Sequence, residues 1–258
     1  GGFINNNGTT YASWNWKAGT SFTNDASATG IGTIDSTGSA SDTAGFSIVS
    51  YTGTGSAGTI KHGLSTAPSM IITKDRGNAE HWSCYNKNLP AGYNIYLNLT
   101  NAQDDNDTVY TTTAPTSSVY SIGTNNRTNG SGRDYIAYCF ADVQGFSKFG
   151  SYTGNGNANG TFVYTGFKPA FVMIKKTSGT SNWTIWDSVR QSNEINKPLW
   201  ADLNSAEAAQ STVKLDLLSN SFKIRGNGSN VGSSGGSYIY MAFAENPFTS
   251  SAGTPVTA

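Results

Sequence analysis

The chain has 258 residues, 16 Lys+Arg against 16 Asp+Glu and therefore a formal charge of zero, and only 12% of its residues are charged, about half the ~25% usual in globular proteins. A surface of that kind creates no long-range field to draw in nucleic acid or an anionic membrane. Thirty glycines with 7 prolines and no Gly-X-Y period exclude collagen, and 12% aromatic residues exclude a wholly disordered chain, which lacks the apolar surface to offset ordering entropy.

Taken in chain order, the first residues, Gly1 to Gly8, have neither a basic flank nor an apolar stretch, so no signal peptide is expected. Tyr11-Ala12-Ser13-Trp14-Asn15-Trp16 repeats the spacing of two later strands, and residues 1–17 are read as the closing strand of a preceding unit in a longer polypeptide. Residues 18–44, rich in Gly, Ser, Thr, Ala and Asp, read as a linker.

Two domain-sized repeats follow, at 45–144 and 145–248, with 249–258 as a tail. Gly45 to Gly55 matches Gly145 to Gly156 with one inserted residue, and Pro68-Ser69-Met70-Ile71-Ile72-Thr73-Lys74 matches Pro169-Ala170-Phe171-Val172-Met173-Ile174-Lys175. Trp82 matches Trp183, and Tyr135 to Ala141 matches Tyr238 to Ala244. Within each repeat the apolar period is two: Trp82, Cys84 and Asn86 fall on one strand face, Ser83 and Tyr85 on the other. Short strands separated by Gly, Asn and Ser turns predict an all-β protein of two tandem related, jelly-roll-like β-sandwich domains. Helical character is confined to Asn204–Gln210, and no apolar run approaches the ~20 residues of a membrane helix, so no membrane insertion is expected.

Chemistry-bearing motifs are sparse. Cys84 and Cys139 have Ile185 and Ala242 as counterparts, which marks reduced core residues, and the spacing of four metal ligands is missing. His62 and His81 have no histidine counterparts and read as solvated loop residues. Asp104-Asp105-Asn106-Asp107 reads as a solvated acidic turn, with calcium the sharper alternative. Gly-Thr-Gly at 53–55 and Gly-Asn-Gly at 154–156 precede strand rather than helix, so they are turns and not phosphate cradles. No cofactor is implied. Trp82 and Trp183 read as core. Tyr85 and Trp186 match each other on the opposite strand face and are the candidate ligand-binding residues: were that face uncovered, aromatic rings among Ser, Thr and Asn would suit a sugar.

Tyr135 to Ala141, Gly145-Phe-Ser-Lys-Phe-Gly-Ser-Tyr-Thr-Gly-Asn-Gly156, Phe167 to Lys175 and Tyr238 to Phe248 resemble a repeated module of tailed-phage virion proteins, especially those of phages of marine bacteria and cyanobacteria. In that family the module often lies downstream of a concanavalin-A-like lectin domain. The resemblance implies a non-enzymatic component on the virion exterior, assembled in the host cytoplasm: a tail fibre, receptor-binding protein or other appendage. It further implies a homotrimer that contacts other virion proteins and attaches to host-surface polysaccharide. A pure shaft or capsid-decoration module and a polysaccharide depolymerase are the alternatives, and the resemblance carries over no catalytic residues.

Overall fold

A computed structural model describes residues 6–245. The expected tail, 249–258, lies outside the described residues, as do the last three positions of the second repeat. The chain is all-β, and among the described residues the helices are two single turns, α1 (Ala26–Thr29) and α2 (Asn126–Asn129). The first half contains β1 (Thr20–Asn24), β2 (Ser36–Ser41), β3 (Phe46–Thr52), β4 (Gly58–Lys61), β5 (Met70–Asp75), β6 (Ser83–Asn86), β7 (Tyr93–Tyr96), β8 (Asp104–Asp105), β9 (Val119–Ile122) and β10 (Asp134–Phe140). The second contains β11 (Ser147–Thr153), β12 (Phe162–Tyr164), β13 (Pro169–Lys176), β14 (Thr184–Asp187), β15 (Leu199–Trp200), β16 (Leu215–Leu218), β17 (Ser221–Ile224) and β18 (Ser237–Ala244).

Each half builds a large antiparallel sheet and a small one. The large sheets run β1-β2-β3-β10-β5-β6-β7-β8 and β11-β18-β13-β14-β15, so the order β3-β10-β5-β6-β7 recurs strand for strand in the second half. The small sheets, β4-β9 and β12-β17-β16, cover the outer face of each large sheet. Alternation along the strands then fills three cores. On β10, Tyr135, Ala137 and Cys139 point outward under β4-β9, while Tyr138 and Phe140 point inward. On β18, Tyr238, Tyr240 and Ala242 point outward, while Ile239, Met241 and Phe243 point inward.

The inward side chains of both halves meet in a shared middle core, so the arrangement is small sheet, large sheet, large sheet, small sheet. Phe243 lies at its centre, with ring centroids 6.1 Å from Phe140, 5.8 Å from Phe149 and 6.1 Å from Phe171. Polar contacts also cross between the halves. The Trp183 indole N–H donates to the Tyr96 carbonyl at 2.8 Å, Ser181 N–H to the Thr100 carbonyl at 2.8 Å, and Gln103 N–H to the Thr177 carbonyl at 3.0 Å.

The repeats share detail as well as order. Tyr51 stacks on Tyr135 at 5.2 Å and Tyr152 on Tyr238 at 4.9 Å. In both pairs the β10-type tyrosine hydroxyl, Tyr135 or Tyr238, accepts a backbone N–H five residues upstream, from Gly130 or Ser233. The turn glycines agree too: Gly55 and Gly156 hold φ of +76° and +70°, a region that penalises a Cβ. A Cβ on Gly53 or Gly154 would stand 2.4 Å from the Gly130 or Ser233 carbonyl oxygen.

Several expectations are corrected. Residues 18–44 are not a linker, because β1 and β2 form a hairpin on the edge of β3, with Thr37 opposite Ser50 and Ser39 opposite Ile48. Backbone pairing at a sheet edge needs no apolar side chains, which is why a Ser/Thr/Gly/Ala stretch pairs there. The described part of the 1–17 segment is not a strand. Trp14 and Trp16 instead insert edge-on against the middle core, Trp16 standing 5.7 Å from Phe171 and 5.4 Å from Phe243. Asn204–Gln210 is irregular rather than helical, and Glu207 within it accepts from Arg190 at 2.6 Å.

His62 is fully buried instead of solvated. Its Nδ1 accepts Leu64 N–H at 3.2 Å, which leaves Nε2 to donate to the Thr116 carbonyl at 3.1 Å, the neutral tautomer. Burial holds its pKa down at about 4. The unfolded chain therefore binds more protons than the folded one between pH 6.5 and 4, and stability falls as pH falls through that window. For this residue the loss amounts to about 3 kcal/mol. Urea midpoints measured from pH 7 to pH 4 should decline, and His62→Gln should show a shallower decline across the same window; an equal slope would remove the assignment.

Candidate functional site

The two sequence-derived candidates do not share a site. Trp186 lies on β14 and points into the outer core of the second half, fully buried among Val172, Leu215, Phe222 and Tyr240. Its face is covered by β12-β17-β16, so a sugar has no access, and the expectation for Trp186 is corrected. Tyr85 on β6 points toward the other outer core, with both large sheets between the two residues. It is half-buried, 5.9 Å from the Tyr110 ring, and burial raises its phenol pKa. Its exposed part borders a shallow recess of about 390 Å³ with Pro68, Pro115, Lys87 and Asp142. Trp183 is buried in the middle core, and Trp82 is half-buried and stacked over Tyr138 at 6.5 Å.

The thiols are buried and unpaired, Cys84 in the middle core and Cys139 in the first outer core, with burial pushing Cys139 up to about 12. Both are poor nucleophiles in that state. The acidic stretch is used internally: Asp104 accepts the Tyr96 hydroxyl at 2.7 Å, and Asn106 accepts the Thr108 hydroxyl at 2.6 Å. Among the described residues, no group of three or more His, Cys, Asp or Glu side chains is placed to hold a metal ion.

A recess lined by aromatic groups opens at the end of the middle core, where the N-terminal segment crosses β13 and β18. It encloses about 480 Å³ between Tyr11, Trp14, Phe171, Asp187, Val189 and Arg190. Trp14 is half-buried, its ring edge-on to Phe171 at 5.5 Å. Tyr11 is 49% and Val189 87% exposed, an apolar rim facing water.

The turn after β14 supplies the polar wall. Asp187 Oδ1 accepts the N–H groups of Val189 and Arg190 at 3.1 and 3.0 Å, and its Oδ2 accepts Arg190 Nε at 2.5 Å. Arg190 Nη1 is held by Glu207, while its Nη2 is buried and makes no hydrogen bond among the described residues. A ring platform can stack an apolar ligand face while the accessible side chains of Ser13, Asn15 and Ser188 around it pair the ligand's hydroxyls, the Asp187–Arg190 turn holding the wall in place. Sequence reasoning missed this recess because Trp14 lies in the segment read as a strand, and Asp187–Arg190 carries no motif.

Together the fold and this recess define a duplicated all-β double sandwich with an aromatic-lined recess at its surface. The chain belongs to the family described as Domain of unknown function (DUF7483), whose model matches residues 2–247. No curated protein and no solved structure matches the chain.

Proposed function

We propose that this chain is a structural protein of the tailed-phage virion, part of a homotrimeric tail fibre or appendage on the particle exterior, and that it attaches to host-surface polysaccharide through the Tyr11–Trp14 recess without cleaving it. The observation that supports attachment is an exposed Tyr11 and a half-buried Trp14 lining one recess with the polar side chains of Ser13, Asn15 and Ser188, the chemistry that an amphiphilic sugar ring requires. The phage setting rests on the strings at 135–156, 167–175 and 238–248, and a polar composition of zero net charge suits a module standing outside a particle. Shallow sites suffice there, because many copies raise the effective concentration at the cell surface.

The test is binding of the purified chain to host cells and their surface polysaccharide. Trp14→Ala and Tyr11→Ala should each weaken binding about tenfold, the equivalent of about 1.4 kcal/mol, while the thermal midpoint of Tyr11→Ala stays unchanged. A wild-type chain that binds neither cells nor polysaccharide would favour a shaft or decoration module, and new reducing ends released from the polysaccharide would favour a depolymerase.

A further inference from the structure

Four strands end the two large sheets: β1, β8, β11 and β15. Two of them, β8 and β15, are only two residues long, which blunts them as templates for another chain. The other two, β1 with five residues and β11 with seven, are long enough to pair.

The internal repeat shows what the β11 edge lacks. In the first half the matching strand, β3, carries β2 and β1 outside it, and Ile34 of that arm bridges to Ile60 of β4. In the second half only residues 141–146 join β10 to β11, too few for an arm. The Ser50 backbone pairs with Thr37, but Ser151, its counterpart, faces no strand among the described residues.

Odd-numbered residues of β11 direct their backbone groups away from β18. Ser147 exchanges hydrogen bonds with Val143, Phe149 N–H donates to Asp142 Oδ1 at 2.7 Å and the Thr153 carbonyl accepts the Thr161 hydroxyl at 2.7 Å, leaving Ser151 open between them. Beside this edge, Phe162 and Tyr164 of β12 are 53% and 57% exposed, with Lys148 Nζ 5.1 Å from the Tyr164 ring. On β1 the same alternation turns the backbone groups of exposed Ser21 and Thr23 outward.

The charges are complementary. The 18–44 arm carries Asp25, Asp35 and Asp42 against Lys61, which lies over the Phe22 ring of β1, and is net negative, whereas the β11 edge carries Lys148 and Lys223 beside the Asp142 carboxylate, itself paired with Lys87, and is net positive. We infer that the β11 edge of one copy receives the β1 edge of a second copy of this chain, so that copies associate head to tail through strand addition. This deepens the self-assembled appendage proposed above by naming the surface that assembles it. A two-fold pairing of β11 with β11 would instead bring Lys148 and Lys223 of both copies together.

Proline at Ser151 or at Ser21 removes an outward N–H that no strand of the same copy accepts, and Ser151→Lys places a charge on the edge. Masses of the full chain and its variants are read by light scattering, with far-ultraviolet circular dichroism as the check on folding. Wild type should give a multiple of 27.2 kDa, and Ser151→Pro, Ser151→Lys and Ser21→Pro should each give a single-chain mass. Mixing Ser151→Pro with Ser21→Pro should restore a two-chain species, because each partner keeps one intact edge. A single-chain wild type, a Ser21→Pro variant that stays oligomeric, or a mixture that stays single-chain overturns the inference. Mass is read without glycan, so any of these outcomes leaves the attachment reading to its own binding assay.

Discussion

Trp186→Ala is expected to lower the stability of the folded chain by about 3–5 kcal/mol, the range for truncating a buried indole, because the side chain fills the second outer core and leaves a cavity when removed. Its matched neighbour Trp183 is expected to cost as much on truncation for a different reason, since it fills the middle core and its Nε1 also bonds the Tyr96 carbonyl. Phenylalanine separates the two positions. Trp186 Nε1 is buried with no hydrogen-bond partner, so Trp186→Phe loses volume alone, whereas Trp183→Phe loses volume and the hydrogen bond to the Tyr96 carbonyl, which then keeps Leu99 N–H at 3.4 Å, worth about 0.5–1.5 kcal/mol more. Urea denaturation of the four variants would measure this, and a Trp186→Phe cost equal to or above that of Trp183→Phe would contradict the packing described. The same series separates folding from attachment: Trp186→Ala acts on stability, and Tyr11→Ala, at a rim residue 49% exposed, is the variant that reads the recess.

Much of this architecture was legible in the residues. The period of two placed Cys84 and Tyr85 on opposite faces, and they do point into different cores. The matched Tyr51/Tyr152 and Tyr135/Tyr238 reflect one stacked pair built twice. Periodicity reports that a strand has two faces but not what covers each one, so Trp186 could read as a platform. Both faces of its strand are apolar for separate reasons, one meeting a small sheet of its own half and the other meeting the partner half. The 18–44 hairpin was hidden for a related reason. Its strands are held by backbone pairing on β3, and apart from Phe22 and Ala40 they send little apolar surface into the core. Trp14 and Trp16 kept the aromatic spacing of a strand but serve as wedges at the end of the middle core, a use that spacing cannot distinguish.

The shared middle core makes the two halves energetically inseparable, although the sequence repeats. Cutting the chain at the turn after Gln144 should leave neither piece, 1–144 or 145–258, able to give a soluble monomer with native β structure. The second piece alone would expose Phe149, Phe171, Met173, Trp183, Ile185, Ile239, Met241 and Phe243, all buried in the whole chain. At about 1.5–3 kcal/mol for each side chain, that exposure is on the order of 10 kcal/mol or more, as large as the whole stability of an ordinary domain. Separation of the halves also breaks the Trp183–Tyr96, Ser181–Thr100 and Phe149–Asp142 hydrogen bonds, which neither half can replace. Producing both pieces in one cell should restore a soluble one-to-one complex, because the inner faces are each other's partners. In the intact chain, calorimetry should show a single transition with equal calorimetric and van't Hoff enthalpies. Two resolved transitions, or a soluble monomeric 145–258 fragment with the far-ultraviolet spectrum of a folded β protein, would show that each outer core suffices alone and that the middle core is an interface between independent domains.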